Sequence, residues 1–319
     1  MSAGGDFIVG RDDFTLPFQV DALDLRGRVV RLGPAIAGLL STHDYPDPVA
    51  TLIGELVVAT ALLAGGLKFD GIMTAQVQSD GPISLIVVDF KTPGQLRAYA
   101  RFDEEAVNNA RRVAEHYSNP VQCYLGRGNL AVTVDQGRET ERYQGMVKLT
   151  GKTVLDCIHH YLEQSEQHNV LLQIAVKKPN LEIGDSGWRA GGLMVQHMPG
   201  LLAGRLQDER ISDERIDLWN RAAALASSTH SEELVDPELS PDNLLWRLFH
   251  LEGVRVFPPA TLENRCRCSH ERILGVLTSF PVSELEAMVL DDQIKVTCEF
   301  CNSRYDFDPT ELNMPAEQA

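Results

Sequence analysis

The stretch Cys266-Arg267-Cys268 is followed, after 29 residues, by Cys298-Glu299-Phe300-Cys301, so four of the six cysteines of this 319-residue chain lie close to its end. Zinc prefers four soft ligands at the corners of a tetrahedron, and two closely spaced pairs bring four thiolates together at small entropic cost. The spacing therefore predicts one Zn²⁺ per chain, bound by Cys266, Cys268, Cys298 and Cys301 in a small C-terminal domain.

The first pair has an unusual spacing. One residue separates Cys266 from Cys268, whereas zinc fingers and ribbons usually have two to four. Alternate residues of an extended segment share one face, so these two cysteines can bind one metal and can also meet as thiols. A disulfide across one residue is strained, and strained disulfides are typically labile or regulatory. On spacing alone, a purely structural zinc knob and a redox-responsive centre both stay open.

Composition and charge limit the compartment and the partners. Residues 1–20 lack a basic segment followed by an apolar one, so no secretory signal is predicted and we expect a cytoplasmic protein. Thiols are kept reduced there, which makes zinc-bound thiolates the expected resting state. The formal net charge of −16, from 29 Lys and Arg against 45 Asp and Glu, argues against a nucleic-acid partner, because phosphate binding needs a basic surface.

The longest apolar run, residues 49–67, predicts a buried helix of a soluble domain. It contains Glu55, and an ionised carboxylate is costly at bilayer depth, so no membrane partner is expected. Asp47 is the predicted N-cap, Pro48 the first helical residue, and Gly65-Gly66 the end of the helix.

The chain is predicted to be an α+β protein of three regions. Residues 1–185 form an α+β core domain of mixed sheet and helix, residues 186–252 a glycine-rich loop and a helical, redox-sensitive linker, and residues 253–319 the C-terminal zinc-binding domain that acts as a redox switch. In the first region, alternating apolar residues predict strands at 72–78, 83–90, 130–134, 143–149 and 171–176. A helix is predicted at 153–168, capped by Thr153, with an apolar face of Val154, Cys157, Ile158, Tyr161 and Leu162.

The linker is unusually acidic. The glycines of residues 184–204 are assigned to turns, and residues 205–242 hold ten acidic and four basic residues with one aromatic, Trp219. One helix is predicted after Ser212 as cap, with a stripe of Ile216, Trp219, Ala223 and Ala226. A second begins at Ser240-Pro241 with Leu244, Leu245, Leu248 and Phe249 apolar. Such helices are marginal alone, so we expect them to be ordered by packing on the C-terminal domain.

Several segments together resemble the bacterial redox-regulated heat-shock chaperones, the thirty-three-kilodalton chaperonin family. The segments are His43-Asp44-Tyr45-Pro46, Leu67-Lys68-Phe69-Asp70-Gly71, Glu141-Arg142-Tyr143-Gln144-Gly145, Ala190-Gly191-Gly192, Leu245-Trp246-Arg247-Leu248, Cys-x-Cys-Ser-x-Glu-Arg at 266–272 and Cys-x-x-Cys-x-x-x-Tyr-x-Phe at 298–307. The likeness runs from the first strand nearly to the C-terminus.

The resemblance implies a function. Members of this family bind zinc through the four cysteines when reduced; oxidation forms two disulfides, releases zinc and unfolds the linker, and the active homodimer holds unfolding client proteins without ATP. Carried over by motif, the disulfides would be Cys266–Cys268 and Cys298–Cys301. The implied protein is a stress-response chaperone and not an enzyme.

The cysteine pattern also allows other interpretations. A zinc-binding thiol-disulfide oxidoreductase would place Cys-x-x-Cys at a strand-to-helix junction, where the helix dipole activates the first thiol. His270 could replace a ligand, but four cysteines already complete a tetrahedron. Cys157 is predicted to be a buried apolar side chain and Cys123 a structural one. Arg265, Arg267, Lys295 and Arg304 are candidates for neutralising a negative zinc–tetrathiolate centre.

Overall fold

The computed structural model describes residues 12–67, 69–114, 119–137, 142–165, 169–180, 187–198 and 210–312. The chain divides into two compact units, unit 1 at Met1–Asn264 and unit 2 at Arg265–Ala319. Unit 1 combines two sheets with helices, and unit 2 combines a small sheet with two short helices. The predicted α+β class is confirmed.

One sheet of unit 1, sheet A, joins strands that are far apart in the chain. Its strands are β1 (Phe14–Val20), β2 (Leu25–Leu32), β8 (Val170–Lys177), β9 (Arg189–His197), β10 (Val254–Val256) and β11 (Ala260–Thr261). Their order is β10-β1-β2-β9-β8, all antiparallel, with β11 also paired to β1. Sheet A is therefore completed only by residues near the end of unit 1.

Sheet B follows the chain more closely. Its strands are β3 (Ile72–Ser79), β4 (Ile83–Lys91), β5 (Gln95–Phe102), β6 (Gly128–Asp135), β7 (Tyr143–Lys148) and β12 (Glu263–Asn264). The order is β12-β5-β4-β3-β6-β7, and β12 lies parallel to β5. The predicted β3–β4 hairpin and the strands predicted at 130–134, 143–149 and 171–176 are confirmed within one or two residues of their ends.

The main core of unit 1 surrounds one apolar helix. The helices of unit 1 that precede the linker are α1 (Pro34–Leu40), α2 (Asp47–Ala64), α3 (Glu104–Ala114), α4 (Pro120–Leu125) and α5 (Val154–Ser165). α2 contacts strands of both sheets and is buried on nearly every side, as expected of a helix that is apolar all round. It has the length and hydropathy of a membrane span, but 72% of it is buried in unit 1, which is how a core helix of a folded domain behaves.

Two helix starts refine the predictions. α2 begins at Asp47, with Pro46 as N-cap, so Asp47 lies in the first turn instead of capping it; there its charge still favours the positive helix end. For α5 the Thr153 hydroxyl accepts a hydrogen bond from Asp156 N at 3.0 Å, which confirms the predicted cap. The predicted apolar face of α5 is buried, and residues 166–168 of that prediction lie outside the described residues.

The linker helices cover the second face of sheet A. They are α6 (Arg210–Ser227), α7 (Ser231–Val235) and α8 (Pro241–Phe249). Their apolar side chains form one buried cluster with those of the sheet, including Phe14, Phe18, Val29, Leu193, Ala222, Ala226, Leu234, Leu245 and Phe249. The neighbour that buries the apolar side chains of these helices is sheet A, and the expectation that packing is what orders them stays a prediction.

Parts of the linker prediction were wrong. Residues 189–197 form β9 in the middle of sheet A, not a loop, because Gly191 and Gly192 lack the side chains that would collide with Leu234 O and Val58. Ser212 lies inside α6 and does not cap it, and Ile216 is 54% exposed whereas Ala222 is buried. Residues 184–186 and 199–209 lie outside the described residues.

The start of the C-terminal domain also differs from the prediction. It was placed at residue 253, but β10 and β11 pair with β1, and β12 pairs with β5, so residues 254–264 complete the sheets of unit 1. These strands are only two or three residues long, which hides them from periodicity analysis.

Unit 2 is built around a few apolar side chains. It contains α9 (His270–Leu277), α10 (Val282–Met288) and a sheet ordered β13-β14-β15, at Val289–Leu290, Gln293–Thr297 and Arg304–Phe307. Its buried apolar residues are Leu277, Leu285, Ile294, Phe307 and Leu312. A core this small leaves the unit dependent on a further source of stability.

Candidate metal centre

Two short segments of unit 2 carry the four cysteines. Cys266 and Cys268 lie in an extended segment just before α9, whose N-cap Ser269 accepts a hydrogen bond from Arg272 N at 3.2 Å. Cys298 and Cys301 lie in the turn that joins β14 to β15. In this turn Cys298 N donates to Ser303 O at 2.9 Å, and Asn302 N donates to Cys298 O at 2.8 Å. Asn302 has a φ of 56°, a left-handed conformation that asparagine tolerates.

The structure brings the four predicted ligands together. All four Sγ atoms lie within 4.8 Å of one another. Cys266 Sγ is 3.7 Å from Cys298 Sγ, and Cys268 Sγ is 3.3 Å from Cys301 Sγ. Four sulfurs at about 2.3 Å from a tetrahedral zinc ion lie about 3.8 Å apart. The arrangement therefore fits a metal ion held by four thiolates, with half-buried sulfurs and no carboxylate or imidazole in the set.

Without a metal, the thiols differ in acidity. Burial raises the pKa of Cys268 to about 12 and also raises that of Cys298. Burial opposes ionisation of Cys301 too, but hydrogen bonds with Ser303 and with the Cys268 and Cys266 thiols lower the pKa of Cys301 to about 7. A thiolate is the metal-binding and nucleophilic form, so Cys301 ionises more readily near neutral pH than Cys268 or Cys298.

Hydroxyl groups next to the sulfurs were missed by sequence reasoning. Tyr305 Oη donates to Cys268 Sγ at 3.1 Å, and the hydrogen bond to that thiol is the largest cause that raises the pKa of Tyr305 to about 12. Cys301 Sγ lies 3.2 Å from Ser303 Oγ. The tyrosine was visible in the Cys-x-x-Cys-x-x-x-Tyr pattern, but its direction toward Cys268 depends on the β14–β15 turn.

The predicted basic residues have other described contacts. Lys295 Nζ lies 3.3 Å from Asp291 Oδ2, and Arg267 O accepts a hydrogen bond from Arg272 Nη1 at 2.9 Å. Neutralisation of the centre by the side chains of Arg265 and Arg304 stays a prediction.

The remaining candidates lie outside the group of four. The His270 ring packs on Phe307, with centroids 4.4 Å apart, and its Nε2 lies 3.8 Å from Glu311 Oε2. Cys157 is fully buried, which raises its pKa, and Cys123 Sγ donates to Asn119 O at 3.6 Å. These positions agree with structural roles for all three residues.

The position of Cys298 argues against a thiol-disulfide oxidoreductase. Such enzymes place the first cysteine at a helix N-terminus, where the dipole stabilises the thiolate. Here Cys298 and Cys301 lie between two antiparallel strands. Four thiols that could hold a metal ion, in a small unit that follows an α+β unit in the chain, define a two-unit protein with a candidate metal centre of redox-capable cysteines.

The comparisons with known proteins give the family. The family model described as "Hsp33 protein" matches residues 13–308. The chain is 42% identical over 300 residues to the 33 kDa chaperonin of Caulobacter vibrioides, covering 93% of this chain and 95% of that one. It is 37% identical to the 33 kDa chaperonin of Azotobacter vinelandii, covering 94% and 93%. The chain therefore belongs to the Hsp33 family, and it is a redox-regulated chaperone.

A solved structure supports the fold. The crystal structure of the 33 kDa chaperonin of Thermotoga maritima, a heat shock protein 33 homolog, matches with a TM-score of 0.73 and covers 94% of this chain and 97% of that one. At 22% identity this likeness concerns the fold alone.

Proposed function

We propose that the reduced chain binds one zinc ion through Cys266, Cys268, Cys298 and Cys301, and that oxidation converts it into an ATP-independent holdase for unfolding proteins. The observation that carries the proposal is the group of four Sγ atoms within 4.8 Å of one another in a unit with a very small core. Zinc bound by four thiolates in such domains contributes about 10–16 kcal/mol of folding free energy, comparable to the whole stability of a typical domain.

The proposed oxidation is a two-electron step for each cysteine pair. One thiolate attacks a peroxide oxygen and becomes a sulfenic acid while hydroxide leaves. The second thiolate then attacks the sulfenic sulfur, a disulfide forms, and the oxygen leaves as hydroxide, which takes a proton from solvent to become water. The short loops within each pair favour Cys266–Cys268 and Cys298–Cys301. The nearest sulfurs belong to different pairs, so this assignment requires rearrangement as the thiolates are oxidised.

Loss of the thiolates is proposed to unfold unit 2, and this unfolding is proposed to spread to the linker along residues 254–264, which join the two. Strand β12 lies directly before Cys266, and β10 to β12 attach this segment to sheets A and B by only a few residue pairs. Strands this short add little stability of their own. Unfolding of unit 2 therefore weakens the attachment of residues 254–264, and next the packing of α8 on sheet A.

The apolar face of sheet A is the proposed client surface. When α6 to α8 leave, they uncover Phe14, Leu16, Phe18, Leu193 and the other side chains of the cluster they share. Exposed apolar surface binds the apolar side chains of unfolding proteins, and the net charge of −16 keeps the complex in solution. We further propose a homodimer in the oxidised state, a cytoplasmic location, no enzymatic reaction, and no membrane or nucleic-acid partner.

One experiment tests these steps together. Zinc and free thiols are counted before and after peroxide with mild heat, and each sample is assayed for suppressing the aggregation of a thermally unfolding test protein. We expect one zinc per chain, loss of four thiols, release of the zinc, and holding activity only after oxidation. Wild-type protein that keeps its zinc and yet holds clients would contradict the switch, and peptide mapping that finds mainly cross-paired cysteines would reject the pairing.

A further inference from the structure

We propose that the face of sheet A beneath the linker binds the backbone carbonyl groups of client segments, in addition to their apolar side chains, and that Arg31, Arg189 and Gln173 are the donors. This inference rests on the proposed function and extends it, because it names the chemistry that the uncovered face recognises. In the resting state, the linker occupies this site in place of a client.

The first donor is a fully buried arginine on β2. The Arg31 side chain is 1% exposed. Its Nη1 donates to Leu239 O at 2.5 Å and its Nη2 to Glu233 O at 3.3 Å, so one guanidinium holds two carbonyls of the linker. Its buried Nε has no hydrogen-bond partner among the described residues. The guanidinium N–H groups of Arg31 donate to backbone carbonyl oxygens, so this side chain recognises the backbone of a segment and not a particular side chain.

The other donors make the same kind of contact. Arg189 on β9 donates from Nε to Val235 O at 2.8 Å and pairs with Asp12 through Nη2. Gln173 on β8 lies within 3.4 Å of Ser227 O and 3.5 Å of Thr229 O through its Nε2 atom. In all, three side chains of the sheet meet five carbonyl groups between residues 227 and 239.

The three donors stand on the apolar face of the sheet. Side chains alternate between the faces of a strand, so Arg31 shares its face with Val29, and Arg189 shares its face with Leu193. Gln173 is paired with Leu193 across the sheet. The face therefore presents apolar side chains with donors set between them.

A glycine beside Arg31 lets a backbone come close. Gly191 pairs with Arg31 in the sheet, and a Cβ at this position would lie 2.1 Å from Leu234 O. The surface therefore fits a chain that carries apolar side chains such as Leu234 and Val235 and presents its main-chain oxygens to the sheet. An unfolding protein offers such segments whatever its sequence, because each residue has a carbonyl group.

Arg31 could have one of two roles in the resting and active states. A purely structural latch would hold the linker and do nothing after it leaves. A carbonyl-binding site would hold the linker first and the client afterwards. Removing the donor then has opposite effects on the two states: the resting state opens more easily, and the active state binds more weakly.

The test compares the full chain with Arg31→Met and Ala223→Pro. Methionine is apolar and of similar length, so it enlarges the apolar face while removing the donors of Arg31. Proline at position 223 destabilises α6, which covers the face, but it leaves sheet A and its three donors in place. The probe is a reduced, alkylated and fluorescently labelled test protein, and its affinity is measured by anisotropy with zinc-loaded reduced protein and with oxidised protein.

For oxidised Arg31→Met we expect affinity about tenfold or more below that of oxidised wild type, because hydrogen bonds from a charged donor are lost. The reduced, zinc-loaded Arg31→Met protein should already bind the probe, and reduced, zinc-loaded Ala223→Pro, which keeps the three donors, should bind it more tightly than reduced Arg31→Met does. Equal or tighter binding by oxidised Arg31→Met would overturn the inference and leave a purely apolar client surface.

Two further measurements keep the test decisive. If Arg31→Met does not fold, as judged by circular dichroism, Arg189→Met is measured with the same expected pattern. A peptide with the sequence of residues 230–239 should compete with the probe for oxidised wild type, and absence of competition at millimolar peptide would also count against the inference. If oxidised wild type itself binds no probe, the proposed holdase function fails, which is a distinct result.

Discussion

Unit 1 and unit 2 are stabilised by different means. The described core of unit 1 holds dozens of buried apolar side chains, on both faces of sheet A and around α2. In the described part of unit 2, five buried apolar side chains lie beside four thiols within metal-binding distance of one another. Apolar burial does not respond to peroxide, whereas thiolate ligands do. We therefore expect oxidation to unfold one part of this chain while another part stays folded and able to bind.

The largest expected effect comes from removing two ligands. Cys298→Ser with Cys301→Ser should abolish zinc binding and leave unit 2 unfolded, a loss of about 10 kcal/mol or more of metal-linked folding free energy. Elemental analysis measures the zinc content, and the proton NMR spectrum of the variant shows whether unit 2 is folded. The matched control is Cys123→Ser, which should keep one zinc per chain. Full zinc occupancy in the double variant would show that the assigned ligands are wrong.

A core variant of unit 2 should have the next largest effect. Phe307 is fully buried, and Phe307→Ala is expected to cost about 3–5 kcal/mol. Because folding and metal binding are linked, this cost should appear as weaker zinc binding in competition with a chromophoric chelator. Val282→Ala, at a position 45% exposed, should change zinc affinity little. Unchanged affinity in Phe307→Ala would mean that the metal site folds without the apolar core.

The linker gives the third prediction. Ala223 lies inside α6, and Ala223→Pro should cost about 3 kcal/mol of helix stability because proline removes a helical hydrogen bond and clashes with the preceding turn. We expect this variant to suppress aggregation of a test protein while still reduced and zinc-loaded. Ala224→Ser, at an exposed position of the same helix, should cost only about 0.5 kcal/mol and stay inactive. If Ala223→Pro holds no clients, opening of the linker is not sufficient for activity.

The last expected effect, similar in size to that of the linker variant, concerns acid. Burial raises the pKa of Glu55 from 4.5 to about 7, and its Oε2 has no hydrogen-bond partner among the described residues. The folded state therefore binds this proton more tightly than the unfolded state does. The resulting stability is fully present below about pH 4.5 and is lost as the pH rises through about 7, up to about 3 kcal/mol.

The two units should consequently respond to acid in opposite directions. Unit 1 should gain stability through Glu55 as the pH falls, whereas zinc binding by unit 2 should weaken, because the ligands must be thiolates. Hydrogen exchange of the α2 amides at pH 5 and pH 8 measures the first effect, and Glu55→Gln should remove it. Asp47→Asn, whose side chain is 48% exposed, should keep the wild-type dependence. An unchanged pH dependence in Glu55→Gln would rule out this carboxyl group as the cause.

The sequence was most informative where a local pattern has one meaning. Cysteine spacing located the four ligands, alternation located the β3–β4 hairpin, and the apolar run at 49–67 located the buried helix. These signals are local, so one sequence carries them.

The errors arose where distant segments meet. Gly191 and Gly192 look like turn residues, but they allow α7 and α2 to approach a central strand. Ile216 looks like part of an apolar stripe, but the sheet meets α6 at Ala222 and Ala226. The hydroxyl of Tyr305 reaches Cys268 only because of the β14–β15 turn. Each of these features depends on a contact with a distant segment of the chain, and a local sequence pattern does not reveal that segment.

The pairing of β1 with β10 has a consequence for synthesis. Phe18 is paired with Val256, so the ribosome makes more than 230 further residues after the first strand before that strand gains this neighbour. At about 5–20 residues per second this takes roughly ten to fifty seconds. During that time α8 has not emerged, and the apolar face of sheet A lacks its cover. Every newly made chain thus passes through an uncovered state, and protease digestion of nascent chains stalled before and after residue 256 would reveal it.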